Sequence, residues 1–134
     1  MKKRKGFTLI ELLVVIAIIG LLATLAVVAL NNARAKSRDA RRISDIKQIQ
    51  TALELYYNDH NGYPTALPAA GSPLAGTVTP VVTYMGKVPG NPTPGGTAYS
   101  YVGSASGYTI YFVLESGTGG LKAGTHTARP SGLD

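Results

Sequence analysis

Residues Phe7 to Leu30 read FTLIELLVVIAIIGLLATLAVVAL, a run of 24 residues in which the one charged side chain is Glu11. At about 1.5 Å per residue, a helix of this length extends roughly 36 Å, enough to cross a hydrocarbon core of about 30 Å. The run therefore predicts a membrane-spanning helix, with Gly20 as its one expected flexible point. A removable secretory signal has a shorter apolar region followed by small residues suited to cleavage. Here Asn31-Asn32 and then Arg34 and Lys36 follow instead.

On the N-terminal side, Lys2, Lys3, Arg4 and Lys5 supply four of the thirteen basic residues. The whole chain carries a net charge of +6, but without Met1–Gly6 nine basic and seven acidic side chains remain, a net of +2. The basicity belongs mainly to this short leader, which weakens a nucleic-acid reading based on total charge. Arg34, Lys36, Arg38, Arg41 and Arg42 form a nearly equal basic group beyond the apolar run. The positive-inside rule is therefore balanced and leaves orientation open.

On the C-terminal side the helical pattern continues. Ile43, Ile46, Ile49, Leu53 and Tyr56 recur at spacings of three and four, which places them on one stripe. No proline interrupts Phe7 to Gly62. The pattern predicts one helix from about Phe7 to Asp59, stopped by Asn61-Gly62 and Pro64. Pro64 to Gly96 is rich in Pro, Gly, Thr and Ala and reads as a connecting region, with Val78–Tyr84 as a short strand or helical turn. Ala98–Val102 and Tyr108–Leu114 read as a hairpin around Gly103–Gly107, and a third strand is expected within Leu121–Thr127. Tyr108, Ile110, Phe112 and Leu114 alternate onto one face, the better candidate to cover the helix stripe. The expected fold class is α+β: a long N-terminal helix, its second half packed on a small antiparallel sheet. The expected organisation is a leader over 1–6, a transmembrane helix over 7–30 and one head domain over 31–134.

Lys3-Arg4-Lys5-Gly6-Phe7-Thr8-Leu9-Ile10-Glu11 resembles the cleavage and methylation signature of type IV prepilins and of type II secretion pseudopilins. That signature has a basic leader, Gly, Phe, and Glu as the fifth residue after the cut. A second block, Leu53, Tyr56, Tyr57, Asp59, Gly62, Tyr63 and Pro64, is similar to the end of the long helix in many of these proteins. The resemblance covers roughly the first half of the chain. It implies cleavage by a prepilin peptidase between Gly6 and Phe7, N-methylation of Phe7, and a role for Glu11 in assembly register. It also implies a cytoplasmic N-terminus before processing, which resolves the orientation that charge leaves open. The implied function is a structural subunit of a type IV pilus-like filament, with a type II secretion pseudopilin or a DNA-uptake pilus subunit as the alternative. The implied partners are further copies of the chain, the peptidase, an assembly platform with minor pilins, and the membrane. The expected location is the cytoplasmic membrane and then a cell-surface filament.

Glu11 also has a reading that needs no family. A carboxylate in lipid costs about 2.5–3.5 kcal/mol on insertion scales and calls for a partner. On a processed chain that partner is the Phe7 amine or a group on a neighbouring subunit; protonation or snorkelling at the interface is the plainer alternative. A membrane-anchored binding protein that never polymerises is the competing function class. An enzyme is not expected, because the serines lack a base and an orienting acid. His60 and His126 are far apart in a chain without cysteine, so no cofactor or metal site is expected. Major pseudopilins commonly carry calcium on a carboxylate-rich loop, whereas beyond Asp59 this chain has only Glu115 and Asp134. The cysteine pair of many type IV pilins is also missing. Arg34, Arg38, Arg41 and Arg42 share a helix face that suits lipid headgroups or neighbouring subunits, with DNA phosphates as the other candidate. Tyr99, Tyr101 and Tyr111 could stack bases, although sheet packing is the more common use of strand tyrosines.

Overall fold

A computed structural model describes residues 6–134, so Met1–Lys5 of the expected leader lie outside the described residues. The chain divides into two compact units, one ending at Arg34 and the other covering Ala35–Asp134. One helix, α1, runs Leu9–His60 and contributes to both.

Among the described residues of the first unit every large apolar side chain is exposed, from Phe7 at 80% to Val15 at 45%. Mean hydropathy in the most apolar window reaches 3.1. By length and composition this helix can cross a membrane.

In the second unit α1 packs on antiparallel sheet. Strands β1 (Leu74–Ala75) and β2 (Thr83–Met85) form a small pair. Strands β3 (Ser100–Ser104), β4 (Gly107–Thr118), β5 (Leu121–Arg129) and β6 (Gly132–Leu133) form a meander in chain order. The expected α+β architecture is present. Ile46, Ile49 and Leu53 of the helical stripe are fully buried, and Ile43 and Tyr56 flank them. They meet Tyr108, Ile110, Phe112 and Leu114, the face of β4 that strict alternation selects. Each such side chain contributes about 1.5–3 kcal/mol by leaving water.

The helix ends one residue later than expected, at His60. Asn61 adopts the left-handed conformation (φ 52°) and its N–H donates to the Tyr57 carbonyl at 2.7 Å, a C-terminal cap made by asparagine.

Three strand expectations shift. Residues Pro64–Gly96 are not wholly irregular, because β1 and β2 pair within them; Pro80 lies in the loop between those strands. The hairpin loop is two residues, Ala105-Ser106, rather than Gly103–Gly107, since Ser104 pairs with Gly107. Gly103 pairs with Tyr108 within β3, and glycine is needed there because a Cβ would collide with the Tyr101 hydroxyl and the Pro64 carbonyl. The Tyr101 hydroxyl donates to that carbonyl at 2.7 Å through the space the glycine leaves. The third strand extends to Arg129, and β6 adds a fourth to this sheet.

Because Ile49 and Phe112 are sealed between helix and sheet, Ile49→Ala should cost about 2–5 kcal/mol and Phe112→Ala about 3–5 kcal/mol. Val102→Ala, on the exposed face of β3, should stay within about 0.5 kcal/mol. Denaturant unfolding of the detergent-solubilised chain, followed by tyrosine fluorescence, measures all three.

Candidate functional site: the N-terminal segment and the charged seam of the head

At the start of α1, Thr8 and Glu11 cap the helix reciprocally. Glu11 Oε2 accepts from the Thr8 backbone N–H at 2.8 Å and from its hydroxyl at 2.7 Å, while the Glu11 N–H donates to Thr8 Oγ1 at 3.3 Å. This capping box satisfies helix N-terminal donors that lipid could not. The sequence signal for it, Thr-x-x-Glu before an apolar run, lies within the methylation signature. Thr8 is therefore the partner of Glu11, and Oε1 has none among the described residues. Gly6 and Phe7 lie exposed ahead of the cap. A Cβ at Gly6 would meet nothing within 4 Å among the described residues.

The head contains a second constellation that the sequence did not disclose. Asp39 and Arg42, three apart on α1, are both fully buried and joined by an ion pair at 2.7 Å. The β4–β5 register slips between Leu114 and Gly117. This irregularity turns the N–H groups of Glu115, Ser116 and Gly117 onto Asp39 at 2.7–2.9 Å. Gly117 is required there, because its φ is +82° and a Cβ would strike the Leu121 carbonyl. Arg42 also donates to Asn91 Oδ1 and to the carbonyls of Pro92 and Gly95, and pairs with Glu115 at 2.7 Å. Arg38 completes the seam with two bonds to the same carboxylate.

Arg38 and Arg42 are thus committed to Glu115 and Asp39. The basic row expected to form a free face for headgroups or nucleic acid is occupied at these two positions. Tyr99 and Tyr101 pack against the core, with hydroxyls given to Asp45 at 3.1 Å and Pro64, so they are not free for base stacking; Tyr111 remains exposed.

Residues 1–27 match the Prokaryotic N-terminal methylation motif. Type II secretion system core protein G of Escherichia coli is 36% identical over 97 residues, covering 67% of each chain. The chain belongs to the type IV pilin and pseudopilin family. Core protein G of Aeromonas hydrophila is 45% identical to this pilin-like chain over 64 residues, 48% of this chain and 45% of that protein. A fimbrial protein of Pseudomonas aeruginosa is 44% identical over 54 residues, 40% of this chain and 35% of that protein. The match spans two thirds of the E. coli protein but only about half or less of the Aeromonas and Pseudomonas ones. No solved structure matches the chain. As a member of this family the chain is a pilin-like filament subunit, not an enzyme.

In this pilin-like head the seam sets the acid response. Hydrogen bonding from Arg38, reinforced by Arg42, pushes the Glu115 carboxyl down to about 2 against its burial. Burial acts to raise the Asp39 pKa, but the three amides and Arg42 overcome it, leaving that carboxyl below its usual range. Both folded values lie below the unfolded ones, so their stabilisation is complete above about pH 4.5 and is lost as pH falls toward 2. Arg42→Met should cost about 3–5 kcal/mol at neutral pH, because two carboxylates lose their buried cation. It should also flatten the fall in stability between pH 4.5 and 2; an unchanged pH profile in denaturant titrations would remove the seam from this role.

Proposed function

We propose that this chain is a pseudopilin of a type II secretion system. The motifs are shared by pilus subunits and pseudopilins and do not separate them; the pilus subunit expected first gives way to the secretion reading, which the extent of similarity supports. The observation that carries it is the match to E. coli core protein G over 67% of this chain. Any stretch of that length extends past the end of α1 at His60 and into the sheet-bearing part of the head. The 54 residues shared with the fimbrial protein could fit within residues 1–60, the leader and helix α1, although that match makes a pilus subunit the second reading.

In this account residues 1–6 are a leader that a prepilin peptidase removes after Gly6, and Phe7 becomes the methylated terminus. Residues 7–30 anchor the precursor in the cytoplasmic membrane, with the leader in the cytoplasm and the head over 31–134 outside. An assembly platform and minor subunits then transfer the helix from lipid into a filament that ends outside the membrane. That transfer is tolerable because identical apolar segments take the place of lipid around Leu9–Leu30, keeping their side chains away from water. Glu11 sets register: cutting after Gly6 creates an amine at Phe7, four residues from a carboxylate whose Oε1 is free among the described residues.

Deleting the gene distinguishes the two filaments. A secretion pseudopilin predicts exoproteins retained behind the outer barrier with sheared surface fibres unchanged, whereas loss of fibres with normal secretion makes the chain a pilus subunit. Glu11→Ala should leave leader removal intact and lower filament yield by about tenfold or more, as expected for an unpaired terminus in an apolar core. Wild-type yield from a processed Glu11→Ala chain would remove the register role.

A further inference from the structure

The head carries an open groove lined by two cations and, elsewhere, an exposed apolar ridge beside a carboxylate. The first is an open groove of about 770 Å³ between α1 and the segment Lys87–Gly90. Arg41 and Lys87 line it with Ser44 and Gln48. Both cations are exposed, and neither has a carboxylate within 4 Å among the described residues. Asp45, which also borders the groove, is buried and gives one oxygen to Tyr99.

The second surface is a ridge formed by the loop between β1 and β2. The Gly76 N–H donates to the Val82 carbonyl at 2.8 Å and closes the base of the loop. Val78 and Val81 are each 64% exposed at its crest. Asp59, from the last turn of α1, stands beside this loop. The Tyr84 hydroxyl donates to Asp59 Oδ2 at 2.8 Å and fixes the carboxylate. Burial, aided by Asp59, pushes that hydroxyl up to about 12, so it remains a donor throughout the physiological range. Oδ1 is left without a partner among the described residues.

We propose that the Val78–Val82 ridge of one copy seats in the Arg41–Lys87 groove of a second copy, with Asp59 facing the two cations. The inference rests on the filament reading and specifies a head contact within it. Ridge and groove are different patches on the same chain, so the contact is head-to-tail and leaves a free patch at each end, which builds a filament. Along α1 the groove borders residues 41–48 and the ridge adjoins residue 59, so contacting copies are displaced along the helix by on the order of 20 Å. The charges select the partner surface and the valines bury apolar area, a division of labour common to protein interfaces.

The chain has no cysteine, so paired cysteines can report the contact without background. Val81→Cys with Lys87→Cys in the full-length chain, expressed with its assembly machinery, should give a ladder of disulfide-linked multimers on oxidation of sheared filaments. Either single substitution can give at most dimers. Independently, Arg41→Glu with Lys87→Glu should lower filament yield about tenfold through like-charge contact. Asp59→Lys should do the same, and all three changes together should restore yield. Filaments of normal yield without a ladder overturn the contact, and so does a triple variant no better than Arg41→Glu with Lys87→Glu. Both failures leave the filament reading standing as long as the wild-type chain polymerises. A wild-type chain that forms no filament overturns both.

Discussion

A helix whose first twenty-odd residues leave their large apolar side chains exposed must find its surroundings elsewhere. From Leu9 to Leu30 the large apolar side chains are all about half exposed or more. In water this arrangement would forfeit the hydrophobic stabilisation of every one of them. Lipid and identical helices are the two media that remove the cost, and passage from one to the other is a transfer between apolar environments. Composition therefore permits self-association, and the single carboxylate in the run becomes its most informative residue.

The cap geometry adds to that account. Glu11 is not stranded, because Thr8 holds one of its oxygens and satisfies helix N-terminal donors in the same step. Cleavage would change the balance around it. An amide nitrogen at Phe7 becomes an amine, and a carboxylate serving as a cap gains a cation close by in sequence. The head solves the related problem of fixing helix to sheet without disulfides. It does so with an apolar layer between α1 and β4 and, at the Ala35 side of the unit, a buried Asp39–Arg42 pair whose hydrogen-bonding capacity is met by the irregularity in β4 and the 91–95 loop.

What could be read in the sequence was periodic. The stripe through Ile46, Ile49 and Leu53 and the alternation from Tyr108 to Leu114 are local patterns, and both faces are buried as read. The stop at Asn61-Gly62 was equally visible, since asparagine tolerates the left-handed cap. The charged seam was not legible, because Asp39 and Glu115 lie 76 residues apart and nothing local marks either as buried. Arg38 and Arg42 looked like members of a solvated basic face for the same reason. Gly103 was read as a turn because a glycine's need for space depends on its neighbours in the fold, here Tyr101 and Pro64. The Thr8–Glu11 cap was readable from its spacing alone, but the methylation signature occupies the same residues and drew the reading toward Phe7.

The central claim is that Phe7 begins the mature chain and that the helix following it is the polymerising element. Intact mass of the protein purified from its own host tests this most directly. The expected mass is that of a chain lacking Met1–Gly6 and carrying one added methyl group, recovered from sheared or membrane fractions. A mass that retains the leader, or one that places the cut beyond the apolar run, would contradict it.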